Sequence, residues 1–354
     1  MKISACMIVR DEHDLLPQSL KSIRNLCDEI IVVDTGSIDD TVEIAESFGC
    51  KVYHHPWQND FSLHRNQSIG YATGDWILIL DADENLISDI NPENFKAKLK
   101  KLPPEVCALV CTIQEKRDEI TGKWFGNRFF RKSSGIHYEH CIHNQPRYDG
   151  FSGMTDIVIN HCGYSLSLEK MKAKYARTEV LLNKRLFENP EDYEALKYMV
   201  DIHMANRDFE KAIECGTKCL ELLPVVSPQE MQTYSGVYFR MAKSYLSRWS
   251  ETEKDIYADR AVQWARHGVK LFPDDIDLNF TMAQIGYRSD DYDLYKKHAD
   301  RYDAAVKELD NPPALTEFET EITDVAAINR NVFSVAKVHR DAIKLMHDEL
   351  GGGK

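Results

Sequence analysis

The first half of the chain alternates short apolar runs with amphipathic segments. Ile3 to Val9 is apolar and stops at Arg10, Asp11 and Glu12, which predicts a buried strand. Leu15, Leu16, Leu20, Ile23 and Leu26 follow at helical spacing. Glu29 to Val33 predicts a second strand, Val42 to Phe48 a helix stopped by Gly49 and capped by Asp39 or Asp40, and Lys51 to His54 a third strand. Phe61 to Ala72 predicts a helix, with Gly74 just past it. The unbroken apolar run Trp76 to Leu80 then predicts a strand covered on both faces of a parallel sheet, running straight into Asp81, Asp83 and Glu84. This alternation predicts an α/β domain: a doubly wound, Rossmann-like sheet with right-handed crossovers.

Beyond residue 85 the pattern changes. Phe95 to Leu102 reads as a short helix closed by Pro103-Pro104, and Val106 to Ile113 as a strand. Trp124 to Arg131 and Ile136 to Ile142 read as a hairpin around Ser133-Ser134-Gly135, with a last strand from Ile157 to His161. From Leu168 onward the spacing is helical. Leu168 to Phe187 predicts a long helix whose Lys and Arg residues form a solvated face. Tyr193 to Ala205 and Phe209 to Leu223 pair as helix–turn–helix, with Ala212 at a close-packing position. Two similar units follow, Pro228 to Pro273, lengthened by Ser250 to Asp255, and Asp274 to Leu309. The period is about 34 residues, that of a tetratricopeptide-like repeat, and three units meet the minimum for stacking. The expected organisation is an α/β domain over 1–165, a linking helix over 166–189, an all-α helical repeat domain over 190–310, capping helices over 311–350 and a flexible tail over 351–354.

The acids matter because of where the strands end. In open α/β sheets ligands bind at the carboxyl ends of strands. Asp34 ends the second strand and Asp81 the fourth, so both should open onto one sheet edge. Asp81 and Asp83, with small Ala82 between them, suit a hard divalent cation that also holds phosphates, although Asp-x-Asp alone is a common acidic turn. An acceptor-only carboxylate at Asp34 suits a ribose or base. No G-x-G-x-x-G follows the first strand and there is no Walker Lys-Ser/Thr. This excludes a dinucleotide dehydrogenase or P-loop enzyme and leaves a diphosphate to a metal rather than a glycine cradle.

Composition narrows the partners. The 354 residues suffice for two domains, and the formal net charge of −13 disfavours a nonspecific grip on DNA or anionic membranes. Nine cysteines form no Cys-x-x-Cys and complete no zinc set, as expected of reduced thiols in a cytoplasmic protein. The apolar start is too short for a signal peptide, and no run approaches the ~20 apolar residues of a transmembrane helix.

Four segments occur in order: Ser4 to Glu12, Val32 to Thr41, Phe61 to Asn66 and Leu80 to Glu84. Together they resemble the family-2 type of GT-A-fold glycosyltransferase, most of all its bacterial and phage branch with helical repeats after the catalytic domain, which includes bacteriocin peptide S-glycosyltransferases. The resemblance implies an inverting transfer from a nucleoside-diphosphate sugar, by default a uridine diphosphate sugar, assisted by Mn²⁺ or Mg²⁺. It implies that Asp34 contacts the nucleoside, that Arg65 and Asn66 line the nucleotide pocket with Val9, Arg10, Glu12, Gly36 and Ala82, and that Asp81 and Asp83 serve the metal and diphosphate. Relatives often show His-Glu where this chain has His143-Asn144, so Glu139 or His143 stands as the base. His161-Cys162-Gly163-Tyr164 resembles the segment that closes the domain in relatives, which makes His161 a candidate to complete the metal shell. The acceptor is left open among a peptide or protein held by the repeats, a surface glycan and modified bases of phage DNA. Self-association through the repeats is a further implied partner. Two other readings are a non-catalytic scaffold with a degenerate nucleotide-sugar domain and a nucleotidyltransferase, which usually carries the Gly-rich first loop that is absent here.

Overall fold

The computed structural model describes residues 1–117, 120–162, 168–225 and 231–310, together with Ile343 and Met346. The chain divides into two compact units, the first holding Met1–Ala173 and the second starting at Lys174, inside helix Leu168–Glu188.

The first unit is built on an eight-stranded sheet. Its strands are β1 (Ile3–Val9), β2 (Glu29–Asp34), β3 (Lys51–His54), β4 (Trp76–Ile79), β5 (Glu84–Leu86), β6 (Val106–Arg117), β7 (Ile120–Arg131) and β10 (Phe151–His161), in the order β3-β2-β1-β4-β7-β6-β10-β5. Strands β3, β2, β1 and β4 are parallel, while β7 joins β4 antiparallel. The strand that runs into Asp81 and Asp83 is therefore the last of these four parallel strands, where the sheet turns mixed. The strand predicted over Trp124 to Arg131 is part of β7, but its hairpin partner is β6, and it also borders β4. The segment expected to pair with it instead gives β8 (His137–Glu139), which pairs with β9 (Gln145–Arg147) in a separate ribbon. The apolar side chains of β7 are satisfied by the buried sheet and are unavailable to a hairpin at the surface.

Alternation in β4 fills both faces. Trp76, Leu78 and Leu80 pack with helices α1 (Leu16–Ile23), α2 (Thr41–Ser47) and α4 (Pro92–Lys101). Ile77 and Ile79 face α3 (Phe61–Tyr71) and Tyr138 on the other side. Asp60 caps α3, its carboxylate accepting from the Leu63 N–H at 2.9 Å. At α2 the cap is offset: Asp39, not Asp40, accepts from the Thr41 N–H, at 3.0 Å.

The second unit is helical: α5 (Leu168–Glu188), α6 (Tyr193–Ala205), α7 (Phe209–Leu222), α8 (Ser235–Thr252), α9 (Asp255–Leu271), α10 (Ile276–Arg288) and α11 (Tyr292–Asp310). Of the residues that lengthen the middle repeat, Ser250 to Thr252 extend α8 by just under a turn, and Glu253 at φ +55° then breaks it. The first helices of successive pairs, α6, α8 and α10, pack side by side. Gly286 permits a close approach of backbones, since a Cβ there would lie 2.5 Å from the Tyr295 amide nitrogen of α11. Ile343 and Met346 join the buried cluster of Ile276, Phe280, Tyr295 and Tyr302. The other capping-helix and tail positions lie outside the described residues.

Buried His298 on α11 donates from Nδ1 to the Asn279 side-chain oxygen at 2.8 Å. Burial, then Lys297 and Arg301, push its pKa down from 6.5 to about 4. The unfolded chain thus takes up the proton first on acidification. The contribution of His298 is complete above pH 6.5 and is lost as pH falls toward about 4. Urea midpoints across that window should show a smaller acid loss in His298→Asn than in the parent; parallel curves would contradict the assignment.

Candidate functional site

Strands β2 and β4 both run parallel to β1, so Asp34 and Asp81 emerge at one edge of the sheet, as their positions in sequence require. Asp34 is 4 % exposed. Its carboxylate accepts the N–H of Gly36 at 3.3 Å and of Ser37 at 3.0 Å, in a turn that Gly36 enables at φ +110°. Burial pushes the Asp34 pKa up, but hydrogen bonds from Ser37, His54 and Gly36 outweigh it and hold the group below the usual carboxylate range. The His54 ring, exposed at the end of β3, reaches Asp34 through Nδ1 at 3.2 Å. An ionised carboxylate can only accept, so Nδ1 is the donor of this contact. The Val9 carbonyl accepts both the N–H and the hydroxyl of Thr35 at 3.0 Å, tying β1 to the Asp34 turn. Next along the chain, Arg10 is exposed beside Asp11, and the Glu12 N–H donates to the Thr41 hydroxyl at 2.8 Å.

Past β4 the acids diverge in surroundings. Asp81 receives the Arg65 guanidinium at 2.7 Å. Burial alone would raise its pKa; the charges of Arg65 and Arg128 more than offset this and keep it ionised below the usual range. Ala82 is buried. The Asp83 carboxylate, 28 % exposed, lies 3.4 Å from His161 Nε2, which is 14 % exposed at the end of β10. The antiparallel pairing of β5 with β10 sets His161 opposite Glu84, and the Cys162 N–H donates to the Asp83 carbonyl at 2.7 Å. The fold thus brings together Asp81, Asp83, His161 and Arg65, which come from α3, the turn after β4 and the end of β10.

Other sequence candidates lie elsewhere or act differently. Both ends of the Asn66 amide are taken by the Tyr138 backbone, at 2.7 and 2.9 Å, so Asn66 clips β8 to α3. Tyr138 faces inward, with the Arg65 guanidinium 5.4 Å from its ring centre. Glu139, its neighbour on β8, projects to the opposite face and is 47 % exposed. An Arg147 hydrogen bond at 2.8 Å lowers the Glu139 pKa, which weakens it as a base. His143 is half-buried with φ +49°. Its loop is fastened to the start of α3 by the Phe61 N–H on the Cys141 carbonyl and the Ser62 hydroxyl on the His140 carbonyl.

Two residues at the site were not foreseen. His54 gave no signal beyond ending a strand. Arg128 did, as a charge between the aromatic pairs Trp124-Phe125 and Phe129-Phe130. Glu84, without a role from sequence, is 2 % exposed and bound by Arg128 at 2.7 Å.

Residues 4–156 match the model of glycosyl transferase family 2, and a helical region follows the matched segment. A TPR repeat-containing protein of Synechococcus elongatus is 36% identical over 203 residues, covering 54% of this chain and 49% of its own length. The SPbeta prophage-derived glycosyltransferase SunS of Bacillus subtilis is 31% identical over 223 residues, covering 60% of this chain and 51% of its own. The chain thus spans about half the length of these curated relatives. Among solved structures, S. aureus TarS aligns with 69% of this chain and 54% of its own at 13% identity, with a TM-score of 0.40, too loose to add to the assignment. Among the described residues, no helix is long and apolar enough to cross a membrane.

Proposed function

We propose that the first unit transfers a sugar from a nucleoside-diphosphate sugar, with uridine diphosphate as the leaving group, and that the helical repeats present a peptide or protein acceptor. The observation that carries this is the convergence of Asp34, Asp81 and Asp83 at the carboxyl ends of the parallel strands of one sheet, within the segment that matches glycosyl transferase family 2. SunS, named as a glycosyltransferase, supports the activity, and a relative named for TPR repeats supports the tandem arrangement.

In this reading Asp34, held ionised, accepts from the nucleoside, and Arg65 stands between Asp81 and the incoming phosphates. The donor set fits Mn²⁺ or Mg²⁺. A carboxylate and an imidazole nitrogen, Asp83 and His161, face each other at 3.4 Å, and Asp81 lies two residues back along the turn. Among the described residues no group of three or more His, Cys, Asp or Glu closes a full ligand set. That suits an ion held by one or two protein groups and completed by phosphate and water. When bound, such an ion neutralises the charge that develops on the leaving diphosphate. Of the two base candidates, His143 is the better supported, because Glu139 is locked to Arg147 on the outer face of β8.

Thermal shift with UDP-, GDP- and dTDP-sugars, with and without Mn²⁺, tests the reading. One donor should raise the melting temperature with concentration in the parent, and Asp34→Ala should need at least about tenfold more of it. No shift with any donor would favour a scaffold that has lost the activity.

A further inference from the structure

Arg128 interrupts the β6–β7 ladder. Leu109 pairs with Phe129 and Val110 with Asn127, so Arg128 is the extra residue of a β-bulge. A bulge re-aims the side chain it carries. Here the guanidinium reaches Glu84 Oε1 at 2.7 Å, and Glu84 is 2 % exposed. The other oxygen, Oε2, accepts the N–H of Asp81 at 3.2 Å, while the Glu84 N–H donates to the Asp81 carbonyl at 3.0 Å. Asp81 and Glu84 therefore close on each other through two hydrogen bonds, and Arg128 holds the one side chain that makes this possible. On the far side, Arg65 holds the Asp81 carboxylate at 2.7 Å. Two carboxylates, Asp81 and Glu84, thus stand between two guanidiniums, Arg65 and Arg128, with the Asp81–Glu84 backbone turn as the middle link.

Such a line is a costly way to gain stability. Both guanidinium Nε atoms are buried without a hydrogen-bond partner, a penalty an apolar pair would avoid. What the charged pair supplies and an apolar pair cannot is a fixed acceptor for the Asp81 N–H, and hence a fixed direction for the Asp81 and Asp83 side chains.

We propose that Arg128 and Glu84 are positioning residues of the donor site: the bulged Arg128 clamps Glu84, Glu84 locks the Asp81–Glu84 turn, and neither touches the donor. The inference rests on the reading of that edge as the nucleotide-sugar site. Outer-layer partners of this kind change ligand affinity by about 10- to 100-fold.

The test separates positioning from stability. Removing one partner alone, in Arg128→Met or Glu84→Leu, strands a buried charge and lowers stability in either case. Removing both, in the Arg128→Met/Glu84→Leu double variant, gives an apolar pair that recovers the melting temperature. Affinity for UDP, GDP and dTDP with Mn²⁺ is then measured by calorimetry on the full chain. The expected result is a double variant of near-parent stability whose affinity for the nucleotide the parent binds remains at least about tenfold weaker. Glu84→Gln paired with Arg128→Met, which keeps a neutral acceptor for the Asp81 N–H, should recover part of that affinity. If the Arg128→Met/Glu84→Leu variant regains affinity together with stability, the pair is structural only and the inference is overturned. A parent protein that binds none of the three nucleotides overturns the donor-site reading itself.

Discussion

Asp83→Ala is expected to abolish release of nucleoside diphosphate from the sugar donor, with a rate loss of about a thousandfold or more. Asp83 is the acid that meets the imidazole of His161. Asp81 already has Arg65 as its counter-charge, whereas the Asp83 carboxylate faces the imidazole side of the site, at His161 Nε2. Loss of a group that stabilises developing charge costs about 10²–10³ in turnover even when it is a neutral donor, and a metal ligand should cost more. Two readouts are needed. Steady-state release of diphosphate should vanish, and the Mn²⁺-dependent part of the donor-induced thermal shift should vanish with it, while the melting temperature without ligand stays near that of the parent. Full turnover in Asp83→Ala would remove it from the metal site, and a fall in basal stability alone would point to a structural turn.

The second large effect is on stability. Trp76→Ala should cost about 3–5 kcal/mol, a large part of the roughly 5–15 kcal/mol that holds a domain folded. Trp76 is fully buried at the start of β4, packs with the α1 and α4 side of the sheet, and has the Arg131 guanidinium 4.8 Å from its ring centre. It pairs with Ile3 of β1 on one side and Arg131 of β7 on the other, so its loss loosens the strand that aims Asp81. In urea, the transition of the first unit should move to a clearly lower midpoint with little change in slope. An unchanged midpoint would mean that β4 is not at the centre of the sheet.

The strands that were legible are those whose apolar run is continuous. Ile3–Val9 and Trp76–Ile79 fall within a residue of where the pattern places them, because a strand buried between helices is apolar on both faces. The misassigned hairpin shows the limit. The segments on either side of Ser133 to Gly135 both look extended, and local pattern carries no information about which partner each will find. The partner of β7 was set by the cover its apolar face needed, which β6 and β4 supply together. At the site, Asp34, Asp81 and Asp83 were legible because strand ends are legible. The roles of Asn66 and Glu139 were not: whether an amide meets a ligand or a neighbouring backbone, and which face of a short strand a carboxylate takes, depend on contacts distant in sequence.

The sequence by itself determined that this protein has an α/β unit with acids at the ends of its second and fourth strands and a helical unit built from repeated pairs. Periodicity and the polarity of strand ends are local properties, and both are written residue by residue. Only the tertiary structure decided how those acids differ. It set Asp81 against Arg65 and Asp83 against His161, and it turned Arg128 through a bulge onto Glu84. These pairings join residues 16 to 78 positions apart, counted from Arg65–Asp81 and Asp83–His161. They are fixed by sheet order and register, because a buried charge is stable only where the fold delivers its partner.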